Sequence, residues 1–293
     1  MSAGVVLLLG AGSLAGCASI PNPARDGELR VVASTNVYGD IAEQIGGGRV
    51  HVQSIIDDSA QDPHSYEADG RTQLALARAD VVIENGGGYD DFMGSLLAAS
   101  GNHPTILNAV EISGRTASNG KLNEHVWYDL VAMRRLALRI AGALGAVEPS
   151  ARKDFAANAV RFVAGLTRLG TTAAAIAAGH PGTPVAITEP VPLYLLASCG
   201  FVNRTPAAFS EAVEEGVDVS VAVLNQTLNL FRRRAVALLV YNEQTSGGAT
   251  DQVLAAARAN RIPIVAVSET LPAGVHYLGW VARTLQEVRD AVA

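Results

Sequence analysis

The sequence predicts an α/β protein made of two parallel-sheet domains joined by one long, rigid helix. Three observations carry that expectation. Short β-branched runs alternate with stretches of helical spacing from Leu29 to about Val110, the pattern of a parallel sheet with helices on both faces. Strand signals then vanish from Tyr128 to about Ala178, where Ala, Leu and Arg recur at helical spacing. After "GHPGTP" the strand–helix alternation returns. At 293 residues, 49% hydrophobic and 17% charged, the chain has material for about two cores of roughly 150 residues each, and its composition argues against disorder.

The first segment, 1–17, contains "GVVLLLGAGSLAGC". This apolar run is shorter than the about 20 residues of a membrane-spanning helix and reads as the core of an export signal. Leu14-Ala15-Gly16-Cys17 resembles a bacterial lipobox, in which small residues permit cleavage before the cysteine and the Cys17 thiol takes the lipid. "MSAG" lacks the positive charge that opens such signals, so either the true start lies upstream or the run is a buried strand. Residues 18–28, with "SIPNPARDGE", are rich in Pro and polar residues and read as a tether.

The N-terminal domain, 29–148, opens on the strand "LRVVAST" and the helix "NVYGDIAEQIGG", stopped by its glycines. "VHVQSII" is a second strand, "RTQLALARA" a short helix and "DVVIEN" a third strand ending in "GGG". "YDDFMGSLLAAS" is an amphipathic helix and "PTILNAV" a fourth strand. The helix that follows breaks at "GAVEPS", where Glu148-Pro149-Ser150 marks a new start. The linking helix, 149–178, would be roughly 45 Å long at 1.5 Å per residue, enough to join two domains. In the C-terminal domain, 179–293, "VAIT", "AVALLVYNE" and "IPIVAVSE" are strands. "PLYLLASCGF", "VSVAVLNQTLNLFRRR", "TDQVLAAARANR" and "VHYLGWVARTLQEVRDAV" are helices.

In open parallel sheets, ligands bind beyond the carboxyl ends of the strands. Four residues suited to metal sit just past strands or before a helix. His64 lies in "QDPHSYEAD" after the second strand, and His125 in "NEHVWYDL" before the first long helix. Glu189 lies in "VAITEP", and Glu269 in "VAVSETLP". Two come from each half, so a crevice between the domains could collect all four. Two neutral imidazoles and two carboxylates carry a charge of about −2, which matches a divalent cation, and a buried charge is tolerated when paired or metal-bound. Four ligands fill a tetrahedral Zn²⁺ shell, whereas bidentate carboxylates would suit Mn²⁺ or Fe²⁺. Pro63 restricts the residue before it and fixes the turn that aims His64.

These motifs resemble those of the cluster A-I, metal-type solute-binding proteins of bacterial ABC importers. "DPHSYE", "HVWYD", "AITEPVPLYLLASCGF" and "VSETLP" are similar to the four ligand segments of that family. "ENGGGYDDF" is similar to its glycine turn and following helix. The resemblance covers nearly the whole chain after the tether. It implies capture of one divalent ion, Mn²⁺ or Zn²⁺ and in a third case Fe²⁺, as transported ligand by His64, His125, Glu189 and Glu269. It also implies delivery to an ABC permease and its ATPase, by a monomer lipid-anchored to the outer face of the cell membrane. Glu269 stands where Asp is usual, and "SGRTASNGKLNE" lacks the histidines of the zinc-specific members. The ligand types lean toward manganese, although the Irving–Williams order lets Zn²⁺ outcompete Mn²⁺ at most such sites.

The remaining residues read blandly. Glu67 either accepts an imidazole N–H or is solvated. Trp127 packs beside the site, and Asp129 caps a helix. His51, His103, His180 and His276 are structural or surface residues, and Cys199 is a buried thiol. The net charge of −6 lacks the basic footprint that nucleic acid requires. A zinc hydrolase on the same scaffold is the first rival, but a catalytic zinc keeps a position open and uses about three protein ligands. A metal-stabilised surface adhesin is the second, and no distinctive patch supports it. The chain therefore reads as a binding protein and not as an enzyme.

Overall fold

The computed structural model describes residues 27–58, 66, 70–117 and 121–293. Cys17, His64 and Glu67 lie outside the described residues. The first half builds one sheet from β1 (Leu29–Thr35), β2 (Val50–Ile56), β3 (Val81–Glu84) and β4 (Thr105–Asn108). Its helices are α1 (Asn36–Gly46), α2 (Gly70–Leu76), α3 (Phe92–Ser100) and the short α4 (Ala109–Ser113). All pairings are parallel, in the order β2-β1-β3-β4. The fourth strand is shorter than its apolar run suggests. Asn108 ends it, because its side chain accepts from the Glu111 backbone N–H at 3.0 Å and so caps α4.

Two long helices follow: α5 (Leu130–Val147) and α6 (Arg152–Gly179). Residues Pro149–Ala151 form a 3₁₀ turn, so the regular linking helix starts three residues later than its sequence signal. The 28 residues of α6 span about 42 Å. Phe155, Ala159, Phe162, Leu166, Leu169, Ala173 and Ile176 form its buried stripe, the spacing of a helix with one apolar face.

The second half repeats the first. β5 (Pro184–Ile187), α7 (Leu193–Ser198), β6 (Val202–Asn203), α8 (Ala207–Glu214), α9 (Val221–Arg232), β7 (Leu238–Asn242), α10 (Gly248–Ala259), β8 (Ile264–Val267) and α11 (Tyr277–Val292) follow in order. The sheet order is β6-β5-β7-β8, again all parallel. Two elements were not legible in the sequence. The run "PLYLLASCGF" holds a six-residue helix and then bends, because the Phe201 N–H returns to the Leu196 carbonyl at 3.0 Å and Gly200 takes φ 73°. The chain then enters the two-residue strand β6 and the extra helix α8, where periodicity is too short to read.

The outer sheet faces are covered separately, by α2 and α3 on one side and by α9 and α10 on the other. The inner faces share one apolar cluster with α1, α5, α6 and α11. Its centre is aromatic: Tyr128 stacks 5.0 Å from Trp280, and Phe162 of α6 lies 5.9 Å from Tyr277. Polar ends of the same rings join the halves, with Tyr128 donating to the Ser268 carbonyl at 3.1 Å and Tyr277 to the Trp127 carbonyl at 2.7 Å. Asn36 of α1 makes two further links, to the Leu271 N–H at 2.8 Å and the Leu271 carbonyl at 3.0 Å.

His276 belongs to this seam. Its Nδ1 is 2.5 Å from Asp40 Oδ1, and the other Asp40 oxygen accepts from the Tyr277 N–H at 2.8 Å. The Asp40 hydrogen bond and charge, with help from Glu43, raise the His276 pKa.

Truncating Phe162 to Ala should lower the unfolding free energy by about 3–5 kcal/mol in urea titration, since it empties the centre of the shared core. The His276 shift gives a signed pH effect. A raised histidine pKa stabilises fully below its unfolded value of about 6.5, and the stabilisation is lost as pH rises through the folded value. The melting-temperature gap between the native chain and His276→Asn should therefore narrow from about pH 5.5 to about pH 8.5. A gap that stays constant over that range would show that the pair contributes no proton linkage.

Candidate metal centre

His125 is held before it is used. It sits on the 3₁₀ turn Val126–Tyr128 that leads into α5. Asp129 closes that turn: its Oδ1 accepts from the Val131 and Ala132 N–H groups at 2.9 and 3.2 Å, and its Oδ2 accepts from Arg115 Nε at 2.7 Å. The Trp127 ring meets the imidazole edge-on with centroids 5.0 Å apart, and Tyr89 packs 4.9 Å from Trp127. Asn123 sets the imidazole's tautomer. Its Oδ1 lies 2.7 Å from His125 Nδ1 and also accepts the His125 backbone N–H at 3.1 Å. An amide oxygen can only accept, so Nδ1 carries the proton and Nε2 is the basic nitrogen. Asn123 also crosses to the second half, donating to the Pro190 carbonyl at 3.1 Å, while Tyr194 donates to the Asn123 carbonyl at 2.8 Å.

The glycine turn after β3 supports this loop from behind. Gly86, Gly87 and Gly88 all have positive φ, at 76°, 72° and 98°. A Cβ on Gly86 would stand 2.2 Å from Asn108 Nδ2, so both the conformation and the space require glycine there. Asp90 fastens the turn by accepting from the Asn85 and Gly86 N–H groups at 2.6 and 2.7 Å. Asn85 in turn donates to the Glu124 carbonyl at 3.1 Å, next to His125.

From the second half, Glu189 follows β5 and Glu269 follows β8. Asn242, the last residue of β7, stands between them. Its Nδ2 lies 2.6 Å from Glu189 Oε2, 2.8 Å from Glu269 Oε1 and 3.1 Å from Thr245 Oγ1. Gln244 fixes the Glu269 backbone, its Oε1 accepting from the Glu269 N–H and, at 3.3 Å, from the Thr270 N–H. His125, Glu189 and Glu269 are 0%, 3% and 1% exposed. Glu269 Oε2 lies 3.9 Å from His125 Nε2, so residues from the two sheets meet in one closed space.

A carboxylate that sequence reasoning missed completes the picture. Glu214, the last residue of α8, places Oε1 3.4 Å from His125 Nε2. Glu124, His125 and Glu214 offer ligand atoms within 4.8 Å of one another. Burial, and then the charges of Glu124, Glu189 and Glu269, push the Glu214 pKa up to about 8, with Lys121 opposing. Asn242 was missed as well. Its signal was available: it ends the strand "LLVYN" at the carboxyl edge of the sheet, where polar residues face ligands. Glu214 had no comparable signal, because α8 is a departure from the strand–helix alternation. His276 binds Asp40, and the buried Cys199 thiol is pushed up to about 11 by desolvation, which leaves it unreactive at neutral pH.

Replacing Asn242 by Ala removes a donor shared by two buried carboxylates. The chelator-treated protein should lose about 1–3 kcal/mol in urea unfolding, the usual cost of leaving buried acceptors unsatisfied. An unchanged midpoint would mean that Asn242 does not hold the pair.

The family model of ZnuA, zinc-uptake complex component A, periplasmic, matches residues 31–291. The manganese-binding lipoprotein MntA of Halalkalibacterium halodurans is 29% identical over 163 residues, 53% of this chain and 52% of that protein. The manganese ABC transporter substrate-binding lipoprotein PsaA of Streptococcus anginosus is 28% identical over 177 residues, 56% of this chain and 57% of that protein. The chain thus spans about half the length of the curated relatives it matches. The periplasmic zinc-binding protein TroA of Treponema pallidum shares the fold, with a TM-score of 0.76 at 18% identity over 91% of this chain and 100% of that one. With nearly all of its described length matched, this chain belongs to the ZnuA family, zinc-uptake complex component A, periplasmic.

Proposed function

We propose that this chain captures one divalent transition-metal ion, Mn²⁺ or Zn²⁺ with Fe²⁺ as a third choice, outside the cytoplasm. It then delivers the ion to an ABC permease driven by its ATPase. The observation that carries this reading is the meeting of the basic His125 Nε2 with the Glu269 carboxylate in a closed space between the two sheets. In this reading His125, Glu189 and Glu269 are ligands, and His64 from the loop after β2 completes the set. Relatives named as manganese-binding lipoproteins support the class of cargo. The names of the same relatives support an outer-face location, with Cys17 as the point of lipid attachment. The chain acts as a monomer and by coordination, not catalysis. Its working units are 29–148 and 179–293, with 149–178 as the link.

The residues support capture in three ways. Asn123 keeps His125 in the tautomer that presents Nε2. Asn242 holds two carboxylates apart while no cation separates them. The aromatic wall of Trp127 and Tyr89 keeps the local dielectric low, which strengthens attraction between carboxylates and a cation. A divalent ion entering this space cancels charge that the fold otherwise has to bury.

The purified chain should bind one equivalent of Mn²⁺ or Zn²⁺, and His125→Ala and His64→Ala should each abolish tight binding in competition titration. Unchanged affinity in either variant removes that residue from the set. Metal at about 1,000 times its dissociation constant should raise the unfolding free energy by about 4 kcal/mol, an increase that chelation reverses. Affinity should fall as pH falls, because protons compete for the same imidazoles and carboxylates.

A further inference from the structure

We propose that Glu214 is an additional metal ligand that closes the site on its open side and is the first protein group an incoming ion meets. This rests on the reading of His125, Glu189 and Glu269 as ligands and adds to that set a residue from an element outside the strand–helix alternation. The first argument is a distance. Two neighbouring atoms bound about 2.0–2.2 Å from one ion stand roughly 3.0–3.6 Å apart, whether the ion is four- or six-coordinate. Glu214 Oε1 and His125 Nε2 are 3.4 Å apart. That separation suits two ligands of one ion, and it is shorter than the 3.9 Å between His125 Nε2 and Glu269 Oε2.

The second argument is chemical. Asn123 holds the His125 proton on Nδ1, so a lone pair on Nε2 faces a carboxylate oxygen. Two electron-pair donors at that separation repel unless a proton or a metal cation lies between them, and a metal ion takes the place of that proton. Glu214 Oε1 is buried with no hydrogen-bond partner among the described residues, so it has acceptor capacity left for a cation.

The third argument is position. The Glu214 side chain is 17% exposed, whereas that of His125 is closed. It also lines a cleft of about 670 Å³ between Arg115, Thr116 and Lys121–Asn123 on one side and α7, β6 and α8 on the other. Glu214 therefore touches both the cleft and the buried imidazole. Lys121 steadies the end of α8 from the opposite wall, 3.3 Å from Glu211 and 2.7 Å from Glu215. An ion arriving through the cleft would be taken by Glu214, with Glu124 beside it, and carried to His125. Release would reverse that order. An extra carboxylate also raises the coordination number, which favours Mn²⁺ over the four-coordinate preference of Zn²⁺.

The test uses Co²⁺ as a spectroscopic probe, because its visible spectrum reports coordination number, together with Mn²⁺ and Zn²⁺ competition and chelator-driven release. Glu214→Gln should change the Co²⁺ spectrum, weaken Mn²⁺ by about tenfold or more, and weaken Zn²⁺ less. Release should accelerate. Glu214→Asp, which keeps the charge on a shorter arm, should restore part of the affinity. If Glu214→Gln leaves the spectrum, both affinities and the release rate unchanged while His125→Ala abolishes binding, Glu214 is not a ligand and the larger reading survives. If His125→Ala binds normally, the site itself is misassigned and this inference falls with it.

Discussion

The constraint on which this structure depends is the burial of carboxylates against an imidazole at the seam between two sheets. Glu189 and Glu269 are almost completely enclosed, and Glu214 is partly buried. Ionised carboxylates lose several kcal/mol of hydration on burial even after relaxation. A fold that keeps them has to supply donors, take up protons or admit a cation. This chain supplies Asn242 to two of the carboxylates and raises the Glu214 pKa to about 8. What remains is a pocket with negative charge and a basic nitrogen already oriented, the feature on which the proposed capture of a divalent ion rests.

The scaffold places that pocket by repetition. Both sheets run in the order 2-1-3-4 by sequence within their halves, with every strand parallel. Each therefore has a point where successive connections leave to opposite sides, and the loops there open into a crevice. On one side the crevice receives the glycine turn after β3 and the His125 loop. On the other it receives the ends of β5, β7 and β8. The polar residues at these ends lie in the crevice because parallel strands bury everything else on both faces.

The two halves are fastened more firmly than a simple hinge would require. One apolar cluster runs through α1, α5, α6 and α11, and its aromatic members hydrogen-bond across the seam. Asn36 and Asp40 of α1 add polar links to the segment around Leu271 and His276. Opening the halves as rigid bodies would expose this core, at about 25 cal/mol for each Å² of apolar surface. Motion at the mouth of the site is less costly, since α8 is joined to the opposite wall by Lys121 and the solvated acids Glu211 and Glu215. Exposed pairs of that kind contribute little, typically under about 1 kcal/mol.

Much of this was legible in the sequence. Periodicity fixed the two α/β halves and the long helix, because the hydrophobic spacings of strands and helices differ and both were sustained over many residues. The positions of His125, Glu189 and Glu269 at element ends were legible, because each follows a strand or precedes a helix, where a parallel sheet exposes its ends. The sequence could not pair Glu214 with His125, nor Asn242 with both Glu189 and Glu269. Glu214 is distant from His125 in the chain and rides on a short helix with no sustained period, and Asn242 matters only because Glu189 and Glu269 converge on it. Local pattern determines which residues leave an element, whereas tertiary packing decides which of them meet. Hydrogen bonding, proton affinity and coordination act over about 3 Å, a range the chain reaches only after it has folded.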